Sequence, residues 1–287
     1  MWTLKPPVES QDEDKTLASI IKKNPLFTSH KSAWETAYAT YRVEHGNPWK
    51  VTATVFDPPI KDEQLRLYES RKSGGPIKRI RNTPGIRCCP VCGSPSIGTL
   101  DHYLPKDAYP EFAVLPSNLI PACGLCNSGA KGVAIKGTLQ DHRFLHPYFD
   151  KSGDQALWEV SISGNFAAPT FKAVPSPGIS GSLLGTLIFH LEHVLGDQFY
   201  VQMGTYWSDL PQAISDQLLD GKAGQQSWDT ELKWSIRTLG LNGWRSALIR
   251  GVRNDMAARS YVDAQAHALV QGSMRNPQGG GTTVASS

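Results

Sequence analysis

The stretch CPVCGSPSIGTLDHYLPKDAYPEFAVLPSNLIPACGLCNSGAK, running from Cys89 to Lys131, decides how this chain is read. It opens on Cys89-Pro90-Val91-Cys92 and closes with Cys123-Gly124-Leu125-Cys126. Each Cys-x-x-Cys offers two thiolates from one tight turn, and two such turns complete a tetrahedral zinc site. The gap between the pairs, Gly93 to Ala122, is longer than a minimal zinc ribbon needs. Inside or beside it lie Asp101-His102, Asn118 and Asn127, residue types that serve as base, brace or metal ligand. Of the five cysteines, Cys88 is left over. It replaces Cys89 only at a spacing of three intervening residues. Four thiolates leave no open position on the ion, so this zinc is structural. Its task is to hold the segment between the pairs in shape.

This pattern resembles the HNH endonucleases of the ββα-metal class, in the subtype tied by four cysteines. The resemblance rests on about a fifth of the chain. It implies an α+β fold: a zinc-clipped ββα-metal module with helical flanks. By the same resemblance His102 activates water, Asp101 binds a catalytic Mg²⁺ or Mn²⁺, and Asn118 braces the hairpin. Asn127 takes the third signature position, where many members carry His, making this a His-Asn-Asn variant. An amide oxygen still suits a hard divalent ion. The implied reaction is hydrolysis of DNA to 5′-phosphate and 3′-hydroxyl ends, with RNA not excluded. An ATPase partner in a phage-defence setting follows by analogy only.

The first strand is expected at Ile97–Tyr103, the return strand at Asn118–Pro121, and a helical turn from Asn127 through Lys131. Neighbouring strand residues face opposite ways, so Asp101 and His102 share a site only if the backbone bends there. Lys131 would meet a phosphate oxygen as a point charge. Lys106, in the loop between the strands, is a further nucleic-acid contact. His146, downstream, is a candidate additional metal ligand.

The flanks are read from periodicity and punctuation. Residues 1–70 form a helical arm. Leu17, Ile20 and Ile21 mark a short helix or strap. Residues 32–45 read as a helix capped by Ser32, with Trp34, Tyr38 and Tyr41 on one face. A second helix spans 61–72. Residues 71–150 hold the nuclease module. Its leading part carries Arg71, Lys72, Lys78, Arg79, Arg81 and Arg87 with no acidic residue among them. Gly74-Gly75-Pro76 and Thr83-Pro84-Gly85 suggest an extended, loop-like run. Lys78, Arg79, Arg81 and Arg87 are expected to contact phosphates. Net charge is only +3, so affinity for nucleic acid depends on such local clustering.

Residues 151–274 read as a mostly helical accessory domain. It opens with a hairpin of Leu157–Ile162 and Thr170–Val174, and helices follow around 183–195, 228–239 (capped by Ser227) and 244–256. Residues 275–287 are expected to be a disordered tail. No apolar run approaches the roughly 20 residues of a membrane span, and no signal peptide is evident. A cytoplasmic location, where thiols stay reduced, is therefore expected. Oligomeric state is not legible. The rival reading is a non-catalytic zinc module that binds nucleic acid or a partner protein.

Overall fold

A computed structural model describes residues 3–128, 131 and 134–275. The residues expected to form the tail lie outside this range, save Arg275.

The chain opens with α1 (Ser10–Lys23), which buries Leu17, Ile20 and Ile21. A short 3₁₀ turn follows, entered through the Asn24 side chain, which accepts from Leu26 N–H. Next comes α2 (Lys31–Val43), burying Trp34, Ala37, Tyr38 and Tyr41 along one stripe. Its N-cap position is His30 rather than Ser32, because the preceding turn runs directly into the helix. Beyond Glu44, His45 and Gly46 take positive φ and end it. Helix α3 (Pro58–Arg71) begins three residues earlier than expected. Prolines are tolerated in a first turn, where the missing N–H would have no partner.

The basic stretch is not the loop its punctuation suggested. It folds into α4 (Gly75–Arg81), with Ile77 and Ile80 buried. Gly75-Pro76 forms its first turn instead of breaking it, with Gly75 at φ 53°. The two isoleucines anchor the helix, and Lys78, Arg79 and Arg87 remain exposed.

Strands β1 (Thr99–His102) and β2 (Leu119–Ala122) pair antiparallel, with Asp101 opposite Ile120 and His102 opposite Leu119. The first is shorter than expected, because the chain bends at Tyr103-Leu104. Helix α5 (Gly124–Ser128) follows β2 directly, giving the order strand, strand, helix.

The remainder is β3 (Trp158–Ser163), β4 (Thr170–Pro175), α6 (Gly181–Val194), α7 (Asp197–Leu219), α8 (Gln225–Leu239), α9 (Trp244–Asn254) and α10 (Met256–Arg275). β3 and β4 form the second antiparallel pair. α9 lies so close to β3 that a Cβ on Gly251 would sit 1.8 Å from the Val160 carbonyl oxygen. The expected last helix is two, α9 and α10, with a break at Asp255. Ser227 is not the cap of α8. It lies inside the helix, and its hydroxyl donates to the Gly224 carbonyl. Among the described residues the fold is therefore α+β and mostly helical, with two small sheets. One apolar cluster includes Leu17, Trp34, Leu104, Phe144, Trp158 and Trp244, so the core runs across residue 150 without a break. No helix among the described residues is long and apolar enough to cross a membrane.

Candidate functional site

The four sulfurs of Cys89, Cys92, Cys123 and Cys126 lie within 4.8 Å of one another, and all four residues are buried. Two of the separations are 4.0 Å (Cys89 to Cys126) and 3.7 Å (Cys92 to Cys123). A tetrahedral zinc with Zn–S of about 2.3 Å has S···S edges of about 3.8 Å. A disulfide would need about 2.05 Å. The donor set thus fits a metal ion and is consistent with structural zinc. Cys88 is buried but stands outside the cluster, which settles the choice in favour of Cys89.

Local backbone makes each turn. Cys89 N–H donates to Ser94 O and Gly93 N–H to Cys89 O, with Gly93 at φ 82°. Amides also point at sulfur: Ser94 N–H to Cys92 Sγ, Cys123 N–H to Cys89 Sγ, and Cys126 N–H to Cys123 Sγ, each at 3.4 Å. Such donors favour thiolates. The C-terminal helices grip the first turn from outside. Trp244 Nε1–H donates to Cys92 O at 2.7 Å, and His190 donates from Nε2 to Val91 O at 2.7 Å.

At the end of β1, His102 Nε2 lies 3.0 Å from the Ala113 carbonyl. A carbonyl only accepts, so Nε2 carries the proton and Nδ1 is left as the basic nitrogen. The Tyr68 ring stands edge-on to the imidazole, 4.6 Å between centroids. Burial pushes the His102 pKa down to about 4. The imidazole is therefore neutral throughout the physiological range.

Asn118 is fully buried and uses its whole amide. Its Oδ1 accepts from Leu104 N–H (2.8 Å) and Tyr41 O–H (3.0 Å), and its Nδ2 donates to Leu104 O (3.0 Å) and Phe112 O (3.2 Å). This ties both ends of the inter-strand loop to the hairpin. Asn118→Ala would orphan several buried groups at once. It is expected to cost at least about 3 kcal/mol, read as a lower urea midpoint.

Asp101 does not stand open to a second metal. Its Oδ2 is 2.7 Å from Lys131 Nζ. β1 is regularly paired through Asp101 and His102, so their side chains leave on opposite faces, and the bend comes only afterwards. Asn127 lies on the exposed side of α5, its N–H bonded to Cys123 O. The donors expected to hold Mg²⁺ or Mn²⁺ therefore do not fit such an ion in this arrangement. Among the described residues, the cysteines are the only group of three or more His, Cys, Asp or Glu side chains placed to hold a metal.

His146 is corrected from candidate ligand to brace. Its Nδ1 accepts from Tyr148 N–H, so Nε2 carries the proton and bonds to the Tyr41 hydroxyl. No lone pair remains for a metal. Lys131 is buried against Asp101 and does not present its charge to a phosphate, while Lys106 leans on Asp107 at 3.6 Å. Lys78 and Arg79 stay exposed along α4, with Arg87 beyond it. Arg81 is half-buried and donates to Lys72 O. Sequence reasoning placed Tyr41 on a helix face and Tyr68 within the second helix but gave neither a role at the site. Tyr41 in fact links Asn118 to His146, and Tyr68 covers the His102 ring.

Three buried histidines make acid costly. Burial lowers the pKa of His102 and His190 to about 4 and of His146 to about 3. Above the unfolded value of about 6.5 neither state takes the proton. Below it the unfolded chain does and the folded chain does not, so stability falls with pH, by about 1.4 kcal/mol per histidine at pH 5.5. Buried Glu13, Glu111 and Asp101, whose pKa values are raised by burial, act in the opposite sense at lower pH. Urea midpoints at pH 7 and 5.5 should show the loss.

No family model matches the chain, and no solved structure does. Over 142 residues the chain is 42% identical to protein ea31 of Escherichia phage lambda, covering 47% of this chain and 46% of that protein. It thus spans less than half the length of the curated relative it matches.

Proposed function

We propose that this protein is an HNH-type endonuclease that hydrolyses phosphodiester bonds in DNA, with His102 as the general base. The observation that carries the reading is the His102 Nε2–Ala113 carbonyl bond. It fixes the tautomer and presents a neutral Nδ1 to a water, as a base at neutral pH requires. The strand–strand–helix order clipped by four cysteines supports the same assignment. So does the buried Asn118 brace behind the hairpin. Exposed Lys78, Arg79 and Arg87 supply phosphate contacts beside the module.

In this proposal His102 Nδ1 takes a proton from the attacking water as its oxygen bonds phosphorus, the P–O3′ bond breaks and the 3′ oxygen takes a proton from solvent; the Ala113 carbonyl steadies the imidazolium that forms. The Tyr68 ring packs against the imidazole. The family places a divalent ion at the Asp101 position. The donors here do not fit one as they stand, so no step is assigned to it. An ATPase partner in a phage-defence setting is proposed by analogy alone.

A second reading, a non-catalytic zinc module for nucleic acid or a partner, is favoured by one observation: Asp101 is already ion-paired, and His102 is only 8% exposed. Supercoiled plasmid, single-stranded DNA and RNA, each incubated with and without Mg²⁺ or Mn²⁺, separate the two. Nicking of the DNA supports the enzyme. Binding without any cleavage, over all substrates and ions, supports the module.

A further inference from the structure

Lys131 is held as few surface lysines are. Its Nζ has three donors, and three acceptors meet them: Asp101 Oδ2 at 2.7 Å, His102 O at 2.9 Å and Tyr103 O at 3.2 Å. The lysine side chain is 2% exposed and the Asp101 side chain 11%. Tyr103 and Phe144 rings flank the ammonium at 5.9 and 5.5 Å. This is a saturated cation socket, built at the point where β1 ends.

A divalent ion bound to the Asp101 carboxylate would sit beside that ammonium. One negative charge would then face three positive ones in a water-poor site, where repulsion is weakly screened. Magnesium also asks for six well-placed oxygens, of which this chain offers few here. We propose that the Lys131 ammonium is the resident cation of the Asp101 site and excludes a divalent ion from it in the free protein. By taking the carbonyls of His102 and Tyr103, Lys131 also fixes the backbone from which His102 projects, so it is a positioning residue. The inference does not need the nuclease reading, because its readout is ion binding.

The test is a titration of the zinc-loaded full chain with Mn²⁺, following free Mn²⁺ by electron paramagnetic resonance. Wild type and Asp101→Asn should give superimposable curves. Lys131→Met should gain a site at least about tenfold tighter than anything in wild type, and Asp101→Asn in that background should remove it. A wild-type site that Asp101→Asn abolishes would overturn the proposal, as would a folded Lys131→Met with no gain. If Lys131→Met does not fold, wild type alone decides through its ¹⁵N-lysine ammonium spectrum. One exchange-protected ammonium signal, unmoved by Mg²⁺, is expected. Its absence, or its shift or loss on adding Mg²⁺, would refute the socket.

Discussion

Alanine at position 102 is expected to slow DNA cleavage by about 10²- to 10⁴-fold, the usual worth of a positioned general base. The reason lies in one nitrogen. His102 gives its Nε2 proton to Ala113 O, so Nδ1 is the only basic site the ring offers. Removing the ring also orphans the buried Ala113 carbonyl, at about 1–3 kcal/mol. The variant should therefore melt a few degrees lower yet remain folded, with its metal content intact. The pH profile of wild type carries the same signature. Because burial holds the imidazole pKa down to about 4, the base is already free at pH 5.5. The rate should be flat from there through neutrality and fall only as acid protonates the ring. A midpoint near 6.5 would mean that the imbedded, desolvated imidazole described here is not the one that acts.

Stripping the metal should have the larger structural effect. Structural zinc in small modules is worth about 10–16 kcal/mol, as much as the whole folding stability of a typical domain. Here the cysteine cluster is not an appendage. Trp244 and His190, from the C-terminal helices, hold the first turn by its carbonyls, and the apolar core is continuous through Cys89 and Cys92. Chelation, or Cys123→Ser, should therefore lower the melting temperature by more than about 10 °C, since each kcal/mol is worth about 2–4 °C in a chain of this size. Cys88→Ser should keep one zinc per chain, because Cys88 lies outside the cluster. Metal analysis beside thermal melts reads both. A stripped protein with an unchanged melt would remove the metal from the account of stability.

The cysteine pairs, the hairpin between them and the Asn118 brace were legible because each is a local matter of spacing and residue type. Lys131 was not. Its sequence distance from Asp101 gives no hint that the two share a buried ion pair, so it read as a phosphate contact. His146 misled for a similar reason: a histidine near a metal motif looks like a ligand until Tyr41 and the Tyr148 amide are seen to occupy both its nitrogens. Helix α4 was hidden by Gly74-Gly75-Pro76, a loop signal that here serves as a helix start. Helix α7 went unread although Phe199, Met203, Trp207, Leu210 and Ile214 mark a face. Pro211 inside it argues locally for a break that packing against α10 overrides.

The central claim is that a buried, neutral imidazole in a cysteine-clipped hairpin breaks a DNA strand. The most direct measurement is a single-turnover assay of supercoiled plasmid by wild type and His102→Ala, matched for zinc content and run under the same ions. The account expects nicked product with 5′-phosphate and 3′-hydroxyl ends from wild type, and at least about a hundredfold less from the variant. Equal rates, or no product from either over a range of DNA substrates, would contradict it.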